Sequence, residues 1–167
     1  MTMIRNRTLL LATALLLRGL PIHGQTEAAK AQVDAVVREI KAGNVARAEL
    51  LGVPLDAQFR VNVTPDRLES WWDYKLIIRS LDALLRPRAE EVAVALGSAV
   101  IQPNTTKLDF LDVRCGVLFY LKTPEDKRIA SLYFDKSGRH GAVNNVAVSF
   151  TPDLLPRLKK ALHASID

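Results

Sequence analysis

From Asp112 to Phe150 the chain consists of short apolar runs cut by turn residues, and this pattern constrains the fold more than any other. "DVRCGVLFYL" (112–121), "RIASLYFD" (128–135), "RHGAV" (139–143) and "VAVSF" (146–150) are each of strand length. "KTPEDK" separates the first pair, with Pro124 presetting a turn backbone. "KSG" separates the second, and Gly138 supplies the φ > 0 position of a bulged hairpin loop. Asn144-Asn145 separates the third, because Asn tolerates left-handed angles. Strands joined by loops this short pair antiparallel. The expectation is a β-meander.

Helices flank it. "EAAKAQVDAVVREIKA" (27–42) carries Val33, Val36, Val37 and Ile40 on one face, and Gly43-Asn44 supplies a C-terminal stop. Thr64-Pro65 reads as a cap followed by Pro at the first helical position, which starts a short helix "PDRLES". "RPRAEEVAVALGSAVIQP" predicts a helix over 88–100, with Glu90 and Glu91 in its first turns, where acids complement the dipole. Thr151-Pro152 repeats the cap signal ahead of a last helix, "DLLPRLKKALHASI", striped by Leu154, Leu155, Leu158 and Leu162. Lys159, Lys160 and His163 sit near the favoured C-terminal end of that helix.

Earlier segments are less decided. "NVARAELLGVPLD" (44–56) reads as a connector with a short helical turn. "AQFRVNV" (57–63) alternates Phe59, Val61 and Val63 with polar residues, which predicts a half-buried strand. "WWDYKLIIRSLDALL" fits both a helical face and a period-two strand, and its aromatic and β-branched content favours strand for 72–80. The Trp pair there is core at strand spacing. Together these elements predict a single α+β domain: a largely antiparallel, meandering sheet of four to six strands, helices on one face, and a C-terminal helix.

The N-terminus bears on location. Arg5 and Arg7 precede an apolar run, Thr8 to Leu17, which Arg18 ends well short of the roughly 20 residues a membrane span needs. That is the pattern of a secretory signal peptide over 1–24, cleaved after Gly24, with the domain at 25–167 and no membrane span after cleavage. The expected destination is the periplasm or the outside of the cell. Three of the 23 basic residues lie in that segment, which holds no acid; the remaining 20 face 18 acids, a net charge of +2. No block of Lys and Arg remains to follow a phosphate backbone, so nucleic acid is not an expected partner. Cys115 is the one cysteine, so no internal disulfide forms, and its apolar strand marks it as a small buried hydrophobe.

Few residues fit familiar chemistry. After cleavage only His140, His163 and Cys115 remain as soft metal ligands, without short spacing, so neither metal nor cofactor is expected. There is no Gly-x-Ser-x-Gly, and Ser98 and Ser137 lie in a helix and a turn. A Cys115–His140 pair would need strand register to join them. Glu90-Glu91, Asp109 with Asp112, and Glu125-Asp126 are near neighbours in sequence, which does not place two carboxylates across a cleft. Asn62 and Asn104 stand in glycosylation sequons, of which Asn104 lies in a loop.

The densest polar run is "YFDKSGRHGAVNN" (133–145). Turn chemistry accounts for Asp135, Lys136, Ser137, Gly138 and the Asn pair, leaving Arg139 and His140. The expected binding residues are Arg139, His140 and Asn144, with the Arg139 fork gripping a carboxylate or phosphate. The expectation is an exported, non-catalytic binding protein for a protein or cell-envelope ligand. The alternative is a small secreted hydrolase or transferase with His140 as general base, oriented by Asp135 or a neighbouring carboxylate. That chemistry needs His140 in a concave pocket with a carboxylate in hydrogen-bond reach of its ring.

Overall fold

A computed structural model describes residues 22–54, 57–70, 78–83 and 87–162. Helix α1 (Ile22–Lys41) buries Ala29, Val33, Val36 and Ile40 along one face. It ends where Gly43 takes φ 73°, with Gly43 N–H bonded to Ile40 O and Asn44 N–H to Glu39 O, both at 2.9 Å. This is a Schellman closure, which needs a residue free of Cβ strain at that point. The expected cleavage point after Gly24 falls in the first turn of α1. Residues 1–21, which carry the rest of the expected signal peptide, lie outside the described residues.

Strands β1 (Val45–Gly52), β2 (Ile78–Ala83), β3 (Ile101–Pro103), β4 (Val113–Leu121), β5 (Arg128–Asp135), β6 (His140–Val143) and β7 (Val146–Phe150) form one sheet in the order β2-β1-β4-β5-β6-β7-β3. Every neighbouring pair is antiparallel. The meander β4 to β7 matches its expected boundaries within a residue or so. Asn144 takes φ 51° in the last hairpin and Gly138 φ 70° in the loop before β6. Helix α2 (Pro65–Ser70) follows Thr64, whose Oγ1 accepts the Arg67 N–H at 3.4 Å.

Three expectations are corrected. Residues 45–52 are not a connector but strand β1, which pairs with both β2 and β4. Their helix-forming composition yields to an interior position in the sheet, between β2 and β4, where packing overrides propensity. Residues 57–63 form no strand: Val63 is buried, but Val61 is 49 % exposed, so the period-two pattern has no ladder to join. Of the strand expected over 72–80, residues 78–80 lie in β2; residues 71–77, with both tryptophans, lie outside the described residues, as does His163. Helix α3 (Arg88–Gly97) also ends earlier than expected, because residues 101–103 leave it to pair with β7 at the far edge of the sheet.

The sheet is covered on both faces. Helices α1, α3 and α4 (Leu154–Ala161) pack on one, over Ala48, Leu50, Cys115, Val117, Phe119, Leu132, Phe134, Val148 and Phe150. The short α2 and the segment before it cover part of the other, where Leu51, Val53, Val63, Leu68, Leu111, Leu118, Tyr133 and Ala142 meet. A bulge between Val113 and Cys115 shifts the alternation and turns Val113 into this second cluster.

Gly141 is the tightest point. A Cβ there would lie 1.7 Å from the Tyr133 carbonyl oxygen, a backbone atom that cannot move aside without breaking the β5–β6 ladder. Gly141→Ala is expected to destabilise the protein by at least about 3 kcal/mol, by overpacking. Gly97→Ala, whose Cβ meets nothing within 4 Å, should instead stabilise it by about 0.5–1 kcal/mol. Urea unfolding of the two variants checks the opposite signs.

Candidate functional site

The Asp135–His140 turn is held by one carboxylate. Asp135 Oδ1 accepts from the Ser137 hydroxyl at 2.8 Å, the Arg139 N–H at 3.1 Å and the His140 N–H at 3.2 Å. The Gly138 N–H closes the turn on Asp135 O at 3.0 Å. The side chain is thus committed to fixing the backbone. It does not orient the His140 ring, whose Nδ1 lies 3.1 Å from the Ser149 hydroxyl on the paired position of β7. His140 is exposed, and among the described residues no carboxylate is bonded to its ring.

Arg139 is exposed beside it. Its backbone is used twice, through the N–H and through a carbonyl that accepts from Phe150 at 2.7 Å. Its guanidinium has no hydrogen-bond or ion-pair partner among the described residues. Asn144 belongs elsewhere. It lies at the other end of β6, four residues or about 13 Å from His140 along the strand. Its N–H donates to Ser131 O at 2.7 Å and its Oδ1 accepts from Ser131 N–H at 2.9 Å. The structure therefore brings Arg139, His140 and Asp135 together and separates Asn144 from them.

Cys115 and His140 do not meet, because β5 lies between their strands. Cys115 is 4 % exposed, and burial pushes its thiol up from 9.0 to about 12, with the charge of Lys159 opposing the rise. Among the described residues, no group of three His, Cys, Asp or Glu could hold a metal ion, and no helix is long and apolar enough to cross a membrane.

A second polar constellation, on the sheet face opposite the long helices, is not legible in sequence. Glu49 on β1 is buried, and the Tyr120 hydroxyl donates to its Oε2 at 2.7 Å. The Arg47 guanidinium stacks 4.3 Å over the Tyr120 ring and pairs with Asp126 at 2.7 Å. Glu69 on α2 accepts a short hydrogen bond from the Tyr133 hydroxyl and pairs with Arg128 at 2.6 Å. Burial, then the bond to Glu69, pushes the Tyr133 phenol well above its ordinary value. These contacts span 64 and 71 residues of sequence, so no local motif announces them.

No known protein family matches the chain, and no curated protein or solved structure shows significant similarity to it.

The Cys115 thiol has a consequence for stability. Its folded pKa lies above its unfolded one, so its contribution is complete below about pH 9 and is lost as pH rises toward 12. Over that window one such group costs about 1.4 kcal/mol per pH unit. Wild type should therefore lose about 2 kcal/mol more than Cys115→Ala between about pH 9 and pH 10.5. Urea unfolding of both proteins at the two pH values reads the difference in slope, to which Tyr133 contributes equally in each.

Proposed function

We propose that this chain is an exported binding protein that recognises a protein or cell-envelope ligand through the Asp135–His140 turn. One observation carries the reading: the turn backbone is fixed by Asp135, while the Arg139 guanidinium it presents is exposed and, among the described residues, has no partner. A guanidinium held on a rigid turn loses little conformational freedom when it grips a carboxylate or phosphate. His140 and Ser149 lie alongside as hydrogen-bonding groups. Asn144 is better assigned to the fold, given its two bonds to Ser131.

The alternative hydrolase or transferase reading has less support. It rests on a His140–Asp135 relay, and the Asp135 carboxylate bonds the His140 backbone rather than its ring. Export rests on the Arg5–Arg7 start, the apolar run to Leu17 and the small residue at Gly24.

Two measurements test the proposal. Wild type immobilised against an envelope extract of the source cells should recover a partner that Arg139→Ala recovers at least ten-fold less well; equal recovery of every partner sinks the patch. N-terminal sequencing of the protein from the envelope fraction should start near Gln25, and a retained Met1 refutes export.

A further inference from the structure

Helices α3 and α4 pack against each other on the sheet, and their solvent sides frame an open depression. Ala95 and Ala161, both buried, form its floor. Val94 stands beside them and is 63 % exposed. The other exposed positions of α3 are Glu90, Glu91 and Gly97, so Val94 is the one large apolar side chain that this helix gives to solvent. A β-branched residue gains nothing there from helix propensity. Charge is divided across the depression: Glu90 and Glu91 lie on the α3 side, Arg157 and Lys160 on the α4 side. Glu90 already has a partner, and Arg157 bonds the Ser98 hydroxyl at 2.6 Å and pairs with Asp153 at 3.6 Å. Glu91 and Lys160 are exposed, and neither has a partner among the described residues. The surface therefore has an apolar centre, an available acid on one side and an available base on the other.

We infer that two copies of this chain pair through this surface, about a two-fold axis that runs along the depression. Such an axis exchanges the two sides, so it sets α3 of each copy against α4 of the other. Glu91 of each copy then faces Lys160 of the second copy, and the symmetry makes that pair twice. The two Val94 side chains leave water together above the alanine floors. A different protein would have to supply the same division of charge from its own surface, whereas a second copy already carries it. The apolar part of the contact is one side chain from each copy, so the association is weak and concentration-dependent rather than obligate. It lies on the helical layer and does not rest on recognition through Arg139.

Sedimentation equilibrium of the protein tests the pairing. A monomer–dimer equilibrium with a Kd on the order of 0.1 mM is expected at low salt. Salt at about 0.5 M should weaken it at least about three-fold, because it screens exposed pairs. Glu91→Lys and Lys160→Glu should each weaken it about ten-fold, since the symmetry counts each reversal twice. An equimolar mixture of those two variants should dimerise as wild type does, because both pairs across the mixed contact then join opposite charges. Val94→Ser, at an exposed position, should weaken pairing about three-fold and leave the thermal midpoint nearly unchanged; it serves where a charge variant does not fold. A protein that stays monomeric up to about 1 mM overturns the proposal. So does dimerisation that these substitutions leave undiminished, or a mixture of the charge variants that pairs no better than either alone. Self-association and partner recovery are read in separate assays, so either result can fail while the other stands.

Discussion

Strand β4 is buried on both faces, and the other elements take their places from that. Cys115, Val117 and Phe119 point into the core beneath the three long helices, while Leu118 points the other way, against the cluster that holds Leu68 of α2. A strand apolar on both sides cannot lie at an edge or leave a face to solvent without exposing a continuous apolar surface. It therefore takes β1 on one side and β5 on the other, and its neighbours inherit the demand for cover. Gly116 marks how closely the layers approach: a Cβ there would lie 3.2 Å from the Tyr133 ring and 3.3 Å from Leu68.

The same framework decides what the polar side chains are free to do. Asp135, Ser137 and Asn144 look like site residues because they are polar and clustered in sequence, yet each is used by the backbone. Asp135 shapes the turn, and Asn144 completes the bonding of Ser131 where the β5–β6 ladder runs out. Buried or half-buried backbone donors have to be satisfied, and side chains near strand ends are the nearest means. Arg139 and His140 remain outside that accounting because their side chains project from the fixed turn into solvent.

The meander was legible because its signals are local. A strand of eight or nine residues, a Gly or Asn able to take positive φ, and the next strand all lie within one window of sequence. The edges of α1 and α2 were legible for the same reason, through Gly43 and Thr64-Pro65. Strand β1 was not. "VARAELLG" has the composition of a helix, and its burial is nearly continuous rather than alternating, so neither periodicity nor propensity marks it. Phe59, Val61 and Val63 gave the opposite error. Their alternation is real, but Phe59 lies under the Arg114 guanidinium at 5.2 Å and Val61 faces solvent, so the pattern builds no ladder. In the site, turn chemistry was readable and side-chain direction was not, since one residue of register decides the face.

The carboxylate–phenol contacts on the second face follow from the size of α2. A six-residue helix has too few turns to seat itself by apolar burial alone, and only Pro65 and Leu68 of it are buried. Glu69 adds two directed contacts, to Tyr133 and to Arg128, on β5, the central strand of the sheet. Such bonds add little net stability, because each replaces a bond to water. Breaking one is costly all the same, since it strips a buried tyrosine hydroxyl of its carboxylate acceptor. That asymmetry selects a single position for α2 over others that would bury Leu68 equally well. Glu49 and Tyr120 apply the same constraint between β1 and β4, where a carboxylate that is 2 % exposed would be untenable in any register that removed its donor. The polar groups of this face specify the arrangement that the apolar contacts stabilise.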